Sequence, residues 1–259
     1  MEYGDKHILV LGAGASGIGA SWVLAQVGAH VVLNDYKPMT LPTAEEKRLV
    51  AAGVNIITGR QDESLLDGVD RIVISPGISL DIPIVKAAQA RGIDVVSEVE
   101  LAYEVSKSPI VAVTGTNGKT TTTTLLTEVL EGSGKPVRVG GNIGDSLSEV
   151  AYAMPADGFL VAELSSYQLE TIKHFRPVGA IMLNITPDHL ARHKTMENYI
   201  AAKERIFENQ LSTDYLVLNI DDPVVADMEH RSPSHILKIS QKKAVENGAC
   251  LLYTSPSPR

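Results

Sequence analysis

The sequence predicts an α/β protein made of two doubly wound parallel sheets in tandem. Three observations predict it. Apolar, β-branched runs alternate with helix-patterned segments, and two of those runs lead into glycine-rich turns that open helices. A short polar stretch, Glu104-Val105-Ser106-Lys107-Ser108-Pro109, separates the two series. Such alternation buries the strands beneath helices on both faces and puts ligands beyond the strands' carboxyl ends.

The first series has strands near 7–12, 30–34, 54–58, 70–75 and 93–96, with helices near 16–28, 43–52, 82–91 and 97–105. Its opening segment, HILVLGAGASGIGASWVLAQVGAHVVLND, fits G-x-G-x-x-G with an acidic residue, Asp35, about 20 positions on. Gly12 allows the tight turn, Gly14 the close approach of a phosphate, and Gly17 close packing of helix on strand. The motif points to a diphosphate at a helix N-terminus and a hydroxyl or base edge near Asp35; it does not specify NAD, and a turn that merely packs is the plainer alternative. Ser75, Pro76 and Gly77 follow a strand and fall on the same edge, as part of a ligand site or only as a turn. The expected unit is a Rossmann-like domain over 1–106.

The second series opens on PIVAVTGTNGKTTTTTLLTEVLEG, residues 109–132. A strand feeding a Gly-rich turn into a helix makes a cup of backbone N–H groups at the positive end of a helix, which fits polyphosphate. The strict G-x-x-x-x-G-K-[ST] pattern needs Gly where this chain has Val113, so the loop Gly115, Thr116, Asn117, Gly118, Lys119, Thr120, Thr121 is a variant. Lys119 would sit on the β- and γ-phosphates and the Thr120 hydroxyl on Mg²⁺. An ordinary helix start explains the segment poorly, because five consecutive threonines lower helix propensity. Further strands are expected near 136–140, 158–163, 178–184, 215–219 and 235–239, and helices near 119–131, 145–153, 195–210 and 222–230. Together they form a P-loop NTPase-like domain over 107–250.

Three segments add chemistry. GFLVAELSSYQ, from residue 158, ends a strand in Glu163, well placed for a nucleotide's Mg²⁺ or simply a helix N-terminal charge, with two serines able to cap the next helix. GAIMLNITPDHLARH, from 179, puts Asn184, Asp188 and His189 on the same edge. MENYIAAKERIFE, from 196, is an amphipathic helix on which Lys203 faces either solvent or the cleft.

Bulk properties suit two cores: 259 residues, 44% apolar and 21% charged. A net charge of −8, from 23 basic and 31 acidic residues, argues against a nucleic-acid surface. One cysteine, Cys250, excludes an internal disulfide and fits a reducing cytoplasm; no signal-peptide core or membrane-length apolar run is present. From Cys250 the chain reads CLLYTSPSPR, and residues 251–259 are expected to be a non-native tail with nothing packing after the strand at 235–239.

As a set, GTNGKTTT, GGNIG (140–144), ELSSYQLE (163–170), NITPDHLARH (184–193) and YIAAKERIF (199–207) resemble the Mur ligases of peptidoglycan synthesis over residues 5–249. ELSSYQLE and the GAGASG domain are most similar to the branch that adds D-glutamate to UDP-N-acetylmuramoyl-L-alanine. The resemblance implies an ATP-dependent amide-bond ligase, a cytoplasmic monomer using two Mg²⁺ ions. Gly14, Ala15, Ser16 and Gly17 would hold the precursor's diphosphate, Asp35 its uracil, with Ser75, Pro76 and Gly77 alongside. Asn142, Ser165, Gln168 and His189 would contact the muramoyl-alanine end. Thr120, Glu163, His189 and a carbamylated Lys203 would hold metal, and Lys119, His189 and Lys203 would be catalytic. The family's third α/β domain, which binds D-glutamate and closes over ATP, has no counterpart here, and the chain is expected to bind the precursor without completing ligation. A NAD-dependent oxidoreductase, resting on G-x-G-x-x-G and Asp35, and a non-catalytic nucleotide-binding fragment are the alternatives.

Overall fold

The computed structural model describes residues 3–251. The first unit runs β1 (His7–Leu11), α1 (Ala15–Gln26), β2 (His30–Asp35), α2 (Thr43–Ala51), β3 (Asn55–Thr58), β4 (Arg71–Ile74), α3 (Pro83–Ala90) and β5 (Asp94–Ser97). Its five parallel strands lie in the order β3-β2-β1-β4-β5. Strand alternation divides the core. Ile8 and Val10 pack with Leu24 of α1 and Leu33 on one face, whereas Leu9 and Leu11 pack with Ile72, Ile74 and Ile84 of α3 on the other. The strand order reverses at β1, so the turns after β1 and β4 open a crevice at the sheet's carboxyl edge. Those turns are Gly12–Gly17 and Ser75–Gly77.

Helix α4 (Glu98–Val105) follows β5 without a break and leads into the second unit. That unit comprises β6 (Ile110–Thr114), α5 (Lys119–Glu131), β7 (Val137–Gly141), α6 (Leu147–Ala153), β8 (Phe159–Glu163), α7 (Ser166–Leu169), β9 (Gly179–Met182), α8 (Leu190–His193), α9 (Met196–Glu204), β10 (Tyr215–Asn219), α10 (Pro223–Ala226), β11 (His235–Ser240) and β12 (Gly248–Cys250). The strands form one parallel sheet in the order β12-β11-β10-β9-β6-β8-β7. Here the switch point is β6, flanked by β8 and β9. No helix among the described residues is long and apolar enough to cross a membrane.

Two expectations need correction. Glu104 and Val105 are the last turn of α4 rather than linker, because Arg71 grips Glu104 at 2.9 Å and Asp94 at 2.8 Å and so pins the helix end to the first sheet. The strand at 235–239 is also not the last: β12 adds to β11 through backbone pairing of Lys238–Ser240 with Gly248–Cys250, which needs almost no apolar side chains and so left little pattern to read. Apart from Leu251, the tail expected over 251–259 lies outside the described residues.

α4 is shared by both units. Leu101 packs into the first core, and Val99 and Ala102 pack into the second. Its two buried carboxylates face the second unit. Glu98 Oε1 accepts from Ser146 Oγ at 2.6 Å, the Ser148 N–H at 2.7 Å and Ser148 Oγ at 2.9 Å, while burial pushes the Glu98 carboxyl up. Glu100 accepts three consecutive backbone N–H groups, from Lys173 at 2.7 Å, His174 at 2.8 Å and Phe175 at 3.1 Å. Removing that acceptor strands three N–H donors. Glu100→Ala is therefore expected to lower the unfolding free energy by about 3 kcal/mol, measured by urea denaturation; a loss below about 1 kcal/mol would mean that water replaces the carboxylate freely.

Candidate active site

The site is built on the loop between β6 and α5. β6 ends at Thr114, whose hydroxyl donates to the Leu164 carbonyl at 2.8 Å. The chain then turns through Gly115 at φ 150° and Gly118 at φ 83°. A Cβ on residue 115 would lie 2.9 Å from Leu183 Cβ and 3.2 Å from the Asn184 nitrogen, so glycine is what lets the loop pass the end of β9. Asn184 clamps the loop from that side. Its Oδ1 accepts from the Asn117 N–H at 2.8 Å, its Nδ2 donates to the Asn117 carbonyl at 2.9 Å, and its carbonyl accepts from the Thr116 N–H at 2.8 Å. No side chain caps the first amides of α5, an arrangement suited to an anion. Thr120 and Thr121 are exposed in its first turn.

Two lysines converge on one carbonyl. Lys119 Nζ donates to the Gly115 carbonyl at 3.1 Å and to that of Thr116 at 2.9 Å. Lys203 Nζ, reaching in from α9, donates to the same Gly115 carbonyl at 2.7 Å and lies 3.4 Å from Thr114 Oγ1. The open choice between solvent and cleft is thus resolved: Lys203 is 2% exposed. Burial, reinforced by the charge of Lys119 and opposed by Asp188, pulls its pKa from 10.5 down to about 7. One turn earlier in α9, Tyr199 presents its ring 5.0 Å from Lys203 Nζ and its hydroxyl 3.1 Å from Thr116 Oγ1.

Glu163 ends β8 in register with Val113 of β6. It is buried; Oε1 accepts from Asn142 Nδ2 at 2.8 Å, and Oε2 has no hydrogen-bond partner. A buried carboxylate oxygen without a donor is costly, and a hard cation relieves that cost. Glu163 and the Thr120 hydroxyl are the donor types Mg²⁺ takes. Among the described residues no three His, Cys, Asp or Glu converge as a ready metal cage, which fits an ion that draws its other ligands from phosphate and water.

His189 lies on the same edge, exposed, at φ 54° before α8. Its Nε2 is 3.4 Å from Asp188 Oδ2 and its ring packs on Tyr167 at 4.9 Å. The Tyr199 ring, which also meets Lys203, lies 6.4 Å from it. Ser165 and Gln168 are engaged with one another: Gln168 Oε1 accepts from the Ser165 N–H and hydroxyl at 2.9 Å, and Ser165 Oγ accepts from the Gln168 N–H, a capping box that starts α7. In the first unit, Gly17 packs so tightly that a Cβ there would meet the Gly12 carbonyl oxygen at 1.8 Å, whereas Gly14 has open space before it. Asp35 Oδ2 accepts from the Ala13 N–H at 3.0 Å and Oδ1 from the Lys37 N–H at 2.9 Å, so it shapes the turn as well as facing the crevice. A cleft of about 880 Å³ lies between the units, from Ala15 to Arg138 and Ser146. Sequence reasoning missed Tyr199 and Arg192. The spacing of Tyr199 from Lys203, one helical turn, was available as a signal; Arg192 carried none.

The comparisons agree with this geometry. Residues 6–97 match the model described as "Mur ligase MurD-like, N-terminal domain", and residues 113–254 match "Mur ligase middle domain". A UDP-N-acetylmuramoylalanine--D-glutamate ligase from Caldanaerobacter subterraneus is 47% identical over 249 residues, and one from Halalkalibacterium halodurans is 46% identical over 248. Each alignment covers 96% of this chain and 55% of the relative, so the chain spans about half the length of the curated relatives it matches. The fold is shared with a UDP-N-acetylmuramate:L-alanyl-gamma-D-glutamyl-meso-diaminopimelate ligase from Neisseria meningitides, with a TM-score of 0.64 at 22% identity over 94% of this chain and 82% of that one. Two parallel-sheet units, each with a glycine-rich turn at its switch point, define a tandem α/β protein, and the chain belongs to the Mur ligase family. The oxidoreductase alternative left the second loop unexplained; that loop is where Lys119 and the buried Lys203 share the Gly115 carbonyl.

Lys203 gives the site a pH signature. The folded chain holds the Lys203 proton more weakly than the unfolded chain, so between about pH 7 and 10 unfolding takes up a proton and stability rises with pH. Wild type minus Lys203→Met should gain roughly 1 kcal/mol per pH unit over that range, followed by urea denaturation at several pH values. A flat difference would show that Lys203 is not held neutral.

Proposed function

We propose that this protein takes part in the ATP-dependent joining of D-glutamate to UDP-N-acetylmuramoyl-L-alanine, a cytoplasmic step of peptidoglycan precursor synthesis. The observation that carries the reading is the pair of lysines on the Gly115 carbonyl after β6, with the unpartnered oxygen of Glu163 at the end of the neighbouring strand β8. The Lys119 ammonium and an uncapped helix start make a pocket for triphosphate, with the buried Lys203 amine behind it, and the Glu163 carboxylate suits the accompanying metal. The relatives' names supply the substrates.

In this reading the crevice at Gly14, Ala15, Ser16 and Gly17 holds the precursor's diphosphate, and Asp35 with Ser75, Pro76 and Gly77 borders its uridine. Asn142, Ser165, Gln168 and His189 lie toward its alanyl end. An alanyl carboxylate oxygen attacks the γ-phosphorus, the bond to the β-phosphate oxygen breaks and ADP leaves. The amine of D-glutamate then attacks the acyl carbon, the C–O bond breaks, phosphate leaves with the electron pair, and the amine gives up a proton. Lys119 neutralises charge on the phosphates, and the loop Gly115 to Thr121 orients them. Glu163, Thr120 and His189 would hold Mg²⁺, which supplies further neutralisation between anions that otherwise repel.

Lys203 is the residue whose role changes most with its protonation. As a neutral amine it can add CO₂: the nitrogen lone pair bonds to carbon, one C=O pair moves to oxygen, and the lost proton leaves a carbamate. That exchanges a cation for an anion with hard oxygen donors, suited to a second Mg²⁺. The pKa near 7 supports it, since an appreciable fraction of the amine is free at neutral pH.

Lys119→Ala should weaken ATP binding by about 100-fold or more while precursor binding persists, read by calorimetry with each ligand; equal loss of both would argue against two separate sites. With ¹³C-bicarbonate and Mg²⁺ at neutral pH, the wild type should show a carbamate carbon resonance that Lys203→Met lacks. An unmodified lysine under saturating bicarbonate would overturn that part of the reading.

A further inference from the structure

Arg192 lies outside the phosphate loop and has no part in the chemistry above, yet it ties the turn after β4 to the segment around His189. It leaves α8 three residues after His189 and crosses to the first unit, where NH1 donates to the Pro76 carbonyl at 2.8 Å. The same guanidinium holds Glu170 with two nitrogens, NH2 to Oε2 at 2.5 Å and Nε to Oε1 at 3.3 Å, and stacks 4.3 Å over the Tyr167 ring. Glu170 follows α7, whose capping box contains Ser165 and Gln168, and Tyr167 packs against His189. Both partners of this ion pair are mostly buried, with side-chain exposures of 20% and 16%. The planar fork meets three acceptors and a ring at once, which an ammonium cannot do.

We propose that Arg192 is a positioning residue that sets the distance between the Ser75-Pro76-Gly77 turn and the segment carrying Ser165, Gln168 and His189. A ligand held at only one end does not need that distance; a ligand spanning both does. The inference rests on the precursor reading, in which the uridine lies by the turn and the alanyl end by α7 and His189. The turn itself is kept in shape within the first unit, since the Ser75 N–H donates to the Leu11 carbonyl at 2.9 Å, the Ile78 N–H to the Ser75 carbonyl at 3.0 Å, and Ser75 Oγ to the Gly12 carbonyl at 3.3 Å. Losing Arg192 should therefore spare a ligand confined to the first unit.

The test is calorimetric titration of the full chain with UDP and with UDP-N-acetylmuramoyl-L-alanine, in wild type, Arg192→Ala and Arg192→Lys. Wild type should bind the precursor more tightly than UDP. Arg192→Ala should bind UDP within about twofold of wild type and the precursor about tenfold more weakly, which shrinks the ratio; a merely structural residue would move both ligands alike. Arg192→Lys should behave like the alanine variant, because it keeps the charge but not the fork, and it carries the test should Arg192→Ala fail to fold. An undiminished ratio in the folded variants, or equal loss of both ligands, overturns the inference alone. A wild type that binds UDP and precursor equally overturns the functional reading, and the inference with it.

Discussion

One carbonyl oxygen organises the site. The Gly115 carbonyl accepts from both Lys119 and Lys203, two amines brought to a single dipole, the second of them buried. In water that meeting would be unfavourable; here it is held by the loop's closeness to β9, which glycine alone permits, and by the Asn184 clamp. The cost appears in the lowered proton affinity of Lys203. Negative charge brought to the loop is balanced by Lys119, so the arrangement is poised for polyphosphate rather than complete without it.

The two units meet this demand by the same topological device. Each sheet reverses its strand order beside a glycine-rich turn, at β1 in the first and β6 in the second, and each turn opens a helix whose first amides carry no side-chain cap. Between them α4 is held on one side by Leu101, Arg71 and Asp94, and on the other by Val99, Ala102 and the hydrogen bonds of Glu98 and Glu100. Because this helix belongs to both cores, the relation between the crevices rests on packing and not only on a tether. Arg192 adds a further crossing point, besides the Arg48–Glu149 pair at 2.6 Å.

Motif and periodicity were enough for the α/β class, both glycine-rich turns and nearly all the longer elements, since each depends on neighbours in sequence: glycine where φ is positive, β-branched runs in buried strands, a lysine at a helix start. Some brief elements escaped: α8 is a single turn, and β12 is held by backbone pairing with hardly any apolar pattern to announce it, whereas α7 was announced by its capping serines. Glu163 could be placed at a strand end from sequence, but not its one bonded and one unpartnered oxygen.

What the sequence determined by itself was therefore local: which segments are strands, where the glycine-rich turns lie, and which residues stand at the carboxyl edge. Tertiary structure alone decided which of those residues meet. By pattern alone Lys203 read more readily as a solvated helix residue, until α9 brought its amine to the loop after β6 and buried it against Gly115, and Arg192 had no reading at all until the first unit's Pro76 carbonyl came within 2.8 Å. The reason is physical: burial and proton affinity come from groups distant in the chain, and no local spacing encodes the contacts that desolvate a lysine or span two domains.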